Sequence, residues 1–444
     1  MPTIGRGLYF CGIINTKRKA KNMELFPYPI QLFSCRQYDD VQMKKMENND
    51  VIFYDRLQFL AGAVSGETGI DGLKLDFRCG LRLQVPAGNW HVKITDRLSH
   101  KTYFADDLEQ IVLVSQEKYF IPWHIEITKD KQLIFIHDFD PMEQHVHFFV
   151  LSQAMGDTLA FLPAMQAFAD RYHSQVSMTI TPALQEYAAV AYPNLCNSQV
   201  VAPDVYAVFC MATSYEDLHC CPMDGRELPL LENAKMILGL HQEIKPNPWP
   251  NHGRIIREPY VCIGVQGSST LKAWQYPGGW EVVTDYLKSL GYRVFCIDRE
   301  RVQENYGFRM EMPANAEDLT GNHPLVERAE LLAHADFFIG LGSGLSWLAW
   351  AVSCPVVMVA GFSAVWYEFP NPYRVMNPMA CHACFNDLSV PYLKNPCYRY
   401  GKGHKRYLEC QRTITPEMVI EVIDELRRNV LCRCVYDKYC NSEL

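Results

Sequence analysis

The sequence lacks an apolar run of the about 18 residues that a membrane-spanning helix needs. We also expect no secretion signal, because Lys17, Arg18, Lys19 and Lys21 follow the short N-terminal apolar patch instead of preceding it. Basic charge is not in excess: the formal net charge is -8, which argues against a general nucleic-acid binder. We therefore expect a cytoplasmic protein that binds no nucleic acid and has no membrane span.

Cysteine is plentiful, with 17 residues in a chain of 444. In a small secreted protein this number would indicate disulfides. In a large chain without a signal, free thiols and metal ligands are the usual interpretation. The expected compartment is therefore reducing.

Periodicity divides the chain into four parts. Residues 1–70 show no sustained period and form an N-terminal extension without a predicted structure. Residues 71–145 contain short alternating runs broken by turn residues, which predicts a small β domain. Residues 146–245 and 257–430 each alternate strands with helices, as in a parallel α/β fold, and the prolines at 246, 248 and 250 separate them. We expect two Rossmann-like domains facing a cleft, with ligands beyond the carboxyl ends of the strands.

Two loops in the second α/β half are candidates for binding phosphate. The first follows the strand at 261–265 and contains Ser268, Ser269 and Lys272, whose small side chains and single charge suit an anion. The alternative is a solvated lysine in a polar loop. The second loop contains Gly342, Ser343, Gly344 and Leu345 between a strand and a helix.

A strand that leads into Gly-Ser-Gly at a helix N-terminus offers unpaired amides and the positive end of the helix dipole. The second loop therefore predicts a diphosphate site, although its spacing does not specify the nucleotide. Tight packing of the helix on the strand is the alternative.

Asp157 lies where the first strand of residues 146–245 gives way to a helix. A carboxylate at this position could take a proton from an acceptor hydroxyl as that hydroxyl attacks. An N-cap role is the alternative, because aspartate is common at helix starts.

A possible metal site lies in residues 378–411, a segment with few periodic apolar positions. Two thiols at C-x-x-C spacing and two later ones can close a tetrahedral sulfur shell around zinc or iron. These ligands are Cys381, Cys384, Cys397 and Cys410. Free thiols are the alternative, and the tail residues Cys432, Cys434 and Cys440 are interpreted as incidental.

Several motifs taken together resemble the bacterial autotransporter heptosyltransferases, a family related to the ADP-heptose:lipopolysaccharide heptosyltransferases. The resemblance covers about residues 73 to 430. The motifs are VPAGNWHV at 85–92, MGD at 155–157 with LPA at 162–164, EPYVCI at 258–263, AEDLTG at 316–321, FFIG at 337–340, SGLSWLAW at 343–350 and the four cysteines. At 341–347 the chain has Leu-Gly-Ser-Gly-Leu-Ser-Trp where the lipopolysaccharide enzymes have Asn-Asp-Ser-Gly-Pro-Met-His, which favours the protein-modifying branch.

The resemblance implies a GT-B fold and inverting transfer of heptose from ADP-heptose to serines of an autotransporter adhesin. It implies that Asp157 is the base and that the Lys272 loop and residues 342–345 hold the donor diphosphate. We expect Asp318 to contribute to the donor site, and no divalent cation is needed if the protein supplies the positive charge. It further implies one iron in the four-cysteine site, with zinc as the alternative, and a homo-oligomer that could be a large ring. A lipopolysaccharide-core heptosyltransferase and a non-catalytic sugar-nucleotide-binding protein remain alternative functions.

Overall fold

The computed structural model describes residues 18–20, 22–26, 63–212, 220–305, 308–390 and 397–440, with the backbone alone for 430–440. Most of the 1–70 extension and the side chains of the three tail cysteines lie outside the described residues. In the part of the chain that is described, no helix combines the length and the apolar character needed to cross a membrane.

The N-terminal part of the chain is built of antiparallel strands. They are β1 (Arg18–Ala20), β2 (Met23–Phe26), β3 (Lys74–Arg78), β4 (Arg82–Val85), β5 (Trp90–Asp96), β6 (Thr102–Leu108), β7 (Ile111–Ser115), β8 (Trp123–Lys129) and β9 (Gln132–Asp138). Four of them form a separate sheet in the order β6-β5-β8-β9. In β5 the side chains of Trp90, Val92 and Ile94 are buried while their neighbours are not, as the alternating sequence predicts.

The first α/β part follows directly. It contains β10 (His145–Val150), α1 (Met155–Tyr172), β11 (Gln175–Thr179), α2 (Pro182–Ala191), β12 (Leu195–Asn197), β13 (Ala207–Met211) and α3 (Leu230–Ile237). Strands β10 to β13 pair in parallel, and β3 also pairs in parallel with β13. A single nine-stranded sheet therefore joins the N-terminal strands to the first α/β part, in the order β1-β2-β7-β4-β3-β13-β10-β11-β12.

The second α/β part has its own six-stranded parallel sheet, in the order β18-β15-β14-β19-β20-β21. Its elements are β14 (Tyr260–Ile263), α4 (Gly279–Ser289), β15 (Arg293–Cys296), the hairpin β16 (Val302–Asn305) and β17 (Phe308–Glu311), β18 (Glu317–Asp318), α5 (Leu325–Ala333), β19 (Phe337–Leu341), α6 (Gly344–Ala351), β20 (Val356–Val359) and β21 (Arg374–Val375). A 3-10 turn (Cys384–Asn386), α7 (Glu409–Arg412) and α8 (Pro416–Cys440) follow. The central strands are buried on both faces, as parallel sheets covered by helices are.

The alternation of strands with helices expected for residues 146–245 and 257–430 is present, and the strand expected at 261–265 runs from Tyr260 to Ile263. The proline-containing stretch at 246–250 has neither helix nor strand. Helix α1 of the first part packs against α6 of the second, so the two sheets meet through these helices.

Candidate active site

The N-terminal ends of α1 and α6 are in close contact, and two glycines make this possible. A Cβ atom on Gly156 would lie 2.7 Å from Cδ1 of Trp347, and one on Gly344 would lie 2.3 Å from Cε of Met155. Neither helix start has room for a larger residue without displacing its neighbour. The first turn of α1, which carries Asp157, is thereby held beside the Gly-Ser-Gly loop that opens α6.

Asp157 is the third residue of α1, and the N-cap position belongs to Ala154. The N-cap interpretation of Asp157 is therefore wrong, because a capping side chain precedes the first helical residue. Burial raises the pKa of the Asp157 carboxyl, while a hydrogen bond from Ser152 and the charge of Lys272 act in the opposite direction. The carboxylate is thus partly desolvated and faces a cation from the other α/β part.

Lys272 lies in the loop after β14 and has two carboxylates near it. Burial lowers the pKa of its ammonium group, and the charges of Asp157 and Glu368 raise it. The side chain keeps partial contact with solvent. The structure therefore brings Lys272 and Asp157 together, as two groups of opposite charge from the two halves of the chain.

The loop that carries Lys272 is anchored by Asp298, a residue that sequence analysis missed. This buried carboxylate follows β15 and accepts hydrogen bonds from the backbone N–H of Val265 at 2.7 Å and of Gln266 at 3.3 Å. Burial raises the pKa of Asp298 to about 6. Further along the loop, the N–H of Lys272 donates to the carbonyl of Ser269 at 3.0 Å, which closes a turn.

The Gly-Ser-Gly loop has the geometry of an anion site. Ser343 precedes α6 in an extended conformation, and within the described structure its side chain makes no capping bond. The backbone N–H groups of Ser346 and Trp347 bond to the Ser343 carbonyl at 3.1 and 3.4 Å, which leaves the earlier amides of the first turn directed out of the helix.

A second missed residue, Glu368, lies directly against this loop. A Cβ atom on Gly342 would be 2.8 Å from Oε1 of Glu368. The Glu368 carboxylate is only 3% exposed, accepts a hydrogen bond from Ser363 Oγ at 2.6 Å and forms an ion pair with Arg374. No sequence pattern marks it, because it lies in an irregular stretch between β20 and β21.

The remaining expected donor-site residues are more peripheral. Ser268 is exposed and Ser269 is partly buried. Asp318 lies on β18 at the outer edge of the sheet, two strands from β14 and hence about 10 Å away at the usual strand spacing. Its carboxylate accepts hydrogen bonds from the N–H and hydroxyl of Thr320 and pairs with Arg301 at 3.1 Å. The structure does not bring Asp318 into the cluster around Lys272.

The four cysteines of residues 378–411 are neighbours. Burial raises the pKa of Cys384 to about 12, and Cys381 and Cys397 add to that rise. The pKa of Cys410 is also raised by burial and then by the other three thiols. Among the described residues, however, no group of three or more His, Cys, Asp or Glu side chains is arranged to hold a metal ion. The thiols therefore converge without closing a ligand shell.

Two α/β sheets that meet at helix N-termini, with a lysine and a carboxylate between them, have the architecture of a two-domain glycosyltransferase. Comparison with protein families agrees with this class. Residues 240–373 match glycosyltransferase family 9 (heptosyltransferase), and residues 69–131 match the N-terminal domain of the glycosyltransferase TibC.

The relatives define the family more closely. The autotransporter heptosyltransferase BAHTCr of Citrobacter rodentium is 35% identical over 378 residues, which is 82% of this chain and 91% of that protein. An inactive autotransporter heptosyltransferase, BimC of Burkholderia thailandensis, is 29% identical over 80% of this chain and 86% of its own length. The chain belongs to the autotransporter heptosyltransferase family and is a glycosyltransferase with a GT-B-like heptosyltransferase fold.

Solved structures agree with this family assignment. The crystal structure of the iron-containing dodecameric glycosyltransferase TibC from enterotoxigenic Escherichia coli superposes with a TM-score of 0.77 at 33% identity, over 83% of this chain and 98% of TibC. TibC in complex with ADP-D-beta-D-heptose gives a TM-score of 0.76, also at 33% identity, over 82% of this chain and 98% of TibC.

Proposed function

We propose that this protein transfers heptose from ADP-heptose to serine hydroxyls of an autotransporter adhesin, with inversion at the anomeric carbon. Family membership and the ADP-heptose complex of TibC support ADP-heptose as the donor substrate. The observation that carries the proposal is that Asp157 and Lys272 lie near enough for each charge to shift the pKa of the other, where the helices of the two halves meet. A base and a cation on opposite sides of one cleft are what a single displacement at a sugar phosphate requires.

Asp157 acts as the general base. The serine oxygen attacks the anomeric carbon and forms the new C–O bond, while Asp157 takes the hydroxyl proton. The bond from that carbon to the diphosphate oxygen breaks, and its electron pair leaves with ADP. Burial favours this role because it raises the pKa of the carboxyl toward that of a more effective base. The charge of Lys272 acts against that rise and favours the ionised carboxylate.

The departing diphosphate is stabilised by groups of this chain alone. Lys272 supplies a full charge and residues 342–345 supply the N-terminal amides of α6, with Ser268 and Ser269 beside them. These groups make a divalent cation unnecessary. We place Asp318 at the nucleoside end of the donor site, because it lies on the same sheet but two strands away from Lys272.

We propose that Cys381, Cys384, Cys397 and Cys410 hold one metal ion per chain, with iron preferred over zinc. Two observations support the fit: all four donors are thiols, and neighbouring thiols add to the raised pKa values of Cys384 and Cys410, as ligands held near one another do before a cation is present. The preference for iron comes from the related TibC, which is an iron-containing protein. The metal would fix a segment that has few periodic apolar positions, and it takes no part in the transfer.

We further propose the division of the chain into an extension (1–70), a β domain (71–145), an acceptor-side domain (146–245) and a donor-side domain (257–430) with its finger (378–411). We propose that the protein works in the cytoplasm as a homo-oligomer, as the dodecameric TibC suggests.

The function is tested by incubating the purified protein with ADP-heptose and either an adhesin passenger domain or truncated lipopolysaccharide. Heptose on serines of the passenger domain supports the proposal. Transfer to lipopolysaccharide alone would favour the core-sugar enzyme. Binding of ADP-heptose without transfer to either acceptor and without hydrolysis would make the chain a non-catalytic binding protein, a possibility that the inactive relative BimC gives a precedent for.

A further inference from the structure

Gln411 connects the four-cysteine segment to the loop that carries Lys272. It follows Cys410 in the short helix α7, and its side chain is fully buried. Its side-chain Nε2 donates a hydrogen bond to the carbonyl of Leu271, the residue before Lys272. Its backbone carbonyl accepts a hydrogen bond from the N–H of Gln275 at 3.2 Å. One residue thus makes a bond on each side of Lys272.

The segment around Gln411 has little freedom to move away from the loop. A Cβ atom on Gly361, just beyond β20, would lie 2.4 Å from the carbonyl oxygen of Cys410. On the other side, Trp274 Nε1 donates to the carbonyl of Ile414 at 2.8 Å. The backbone from Cys410 to Ile414 is therefore wedged between the end of β20 and the Lys272 loop.

Burying the amide of Gln411 costs free energy that an apolar side chain of the same size would not cost. Its Oε1 atom is buried and has no hydrogen-bond partner among the described residues. A buried amide that satisfies only its donor carries a desolvation cost that a methionine of similar volume would avoid. What the amide adds to packing is the hydrogen bond to Leu271.

We propose that Gln411 is a positioning residue for donor binding, which holds the Lys272 loop in place and ties its position to that of Cys410. The inference rests on the proposed role of Lys272 in binding the donor diphosphate. It gives the four-cysteine segment an effect on donor affinity: whatever fixes Cys410 also fixes the backbone on both sides of Lys272.

The test compares Gln411→Met with Asn377→Ala in the full-length protein. Asn377 is the control. Its Nδ2 donates to the carbonyl of Thr413 at 3.3 Å and its Oδ1 accepts from the N–H of Met379 at 3.0 Å, so among the described residues its side chain bonds the same segment and not the Lys272 loop. Gln411→Met should weaken ADP binding by about tenfold, the loss expected for one buried hydrogen bond. It should also raise KM more than it lowers kcat, speed amide hydrogen exchange in residues 266–275, and leave the metal content unchanged. The control should match the wild type in all four measurements.

Equal ADP affinity and equal exchange in Gln411→Met and the wild type would overturn the inference. If the methionine variant does not fold, Gln411→Leu decides with the same readouts, because its side chain also has no donor for the Leu271 carbonyl. A wild-type protein that binds no ADP would refute the proposed function instead. Faster exchange in Gln411→Met would then still support the link to the loop, and unchanged exchange would overturn it.

Discussion

Replacing Gly156 with alanine should separate the two helix starts that form the active site. The new Cβ atom would lie 2.7 Å from Cδ1 and 3.1 Å from Nε1 of Trp347, an indole that is 3% exposed. This ring cannot swing away easily, because it packs edge-on against Trp350 and Phe369, with ring centroids 5.3 and 5.0 Å away. The helix must move instead.

The magnitude follows from two opposing effects. Overpacking a tight contact costs about 1–3 kcal/mol. Alanine in a helix gains about 0.5–1 kcal/mol over glycine. The net loss of stability should be about 0–2.5 kcal/mol. Each kcal/mol lost lowers the melting temperature by about 2–4 °C if the unfolding unit has 150–250 residues. Asp157 is the next residue and would move with the helix. We therefore expect a clear fall in kcat even where the loss in free energy of unfolding is small.

Gly401→Ala is the matched control, because a Cβ atom there meets no other atom within 4 Å. It should leave melting temperature and kcat close to wild type. Trp347→Ala removes the ring atoms that the new methyl group meets, so Gly156→Ala should be less harmful in the Trp347→Ala background. Calorimetry and transfer assays on the four variants of this cycle measure the coupling. If Gly156→Ala behaves like Gly401→Ala, or if the two effects simply add, the close helix contact is not what positions Asp157.

Three further predictions concern the site directly. Asp157→Asn should lower turnover by about 10²–10⁴ while leaving ADP affinity and melting temperature close to wild type; a large loss of stability with little loss of activity would give Asp157 a structural role. In the wild type, kcat/KM should fall as the pH drops through the raised pKa of Asp157, because protonation removes the base, and a pH profile without that acid limb would contradict this. Lys272→Ala should weaken ADP binding in calorimetry, and unchanged affinity would move the diphosphate site elsewhere. A fourth prediction concerns the metal: elemental analysis should find about one iron or zinc per chain. Changing any finger cysteine to serine should remove the metal, whereas changing a tail cysteine should leave it bound. Metal-free wild-type protein that is folded and active would refute the site. The finger cysteines are Cys381, Cys384, Cys397 and Cys410, and the tail cysteines are Cys432, Cys434 and Cys440.

Local patterns predicted the strands and helices of both α/β parts well, because a buried parallel strand is a short apolar run and each helix has its own period. The strand β19 and helix α6 around the Gly-Ser-Gly loop were found this way. The pairing of β3 with β13 was not predicted, since nothing in either strand marks its partner in the sheet. That pairing joins the N-terminal strands and the first α/β part into one sheet.

The site was only partly predictable, because some of its contacts join residues that carry no mark of their partner in the sequence. Asp157 and Lys272 stand at strand ends, where loop chemistry is visible in the sequence. Glu368 lies in an irregular segment and Gln411 in the four-residue helix α7. Their importance comes from what they touch: the Gly342 backbone in one case and the Leu271 carbonyl in the other. Such contacts join residues that are far apart in the chain, so only the folded structure reveals them.

The most direct test of the proposed function is the intact mass of an autotransporter adhesin passenger domain co-expressed with this protein and a supply of ADP-heptose. We predict a series of species separated by the mass of one heptose residue, with the sugars on serines, and almost none of them when the protein carries Asp157→Asn. An unmodified passenger domain beside a folded, ADP-binding protein, or equal modification by the Asp157→Asn variant, would contradict the account.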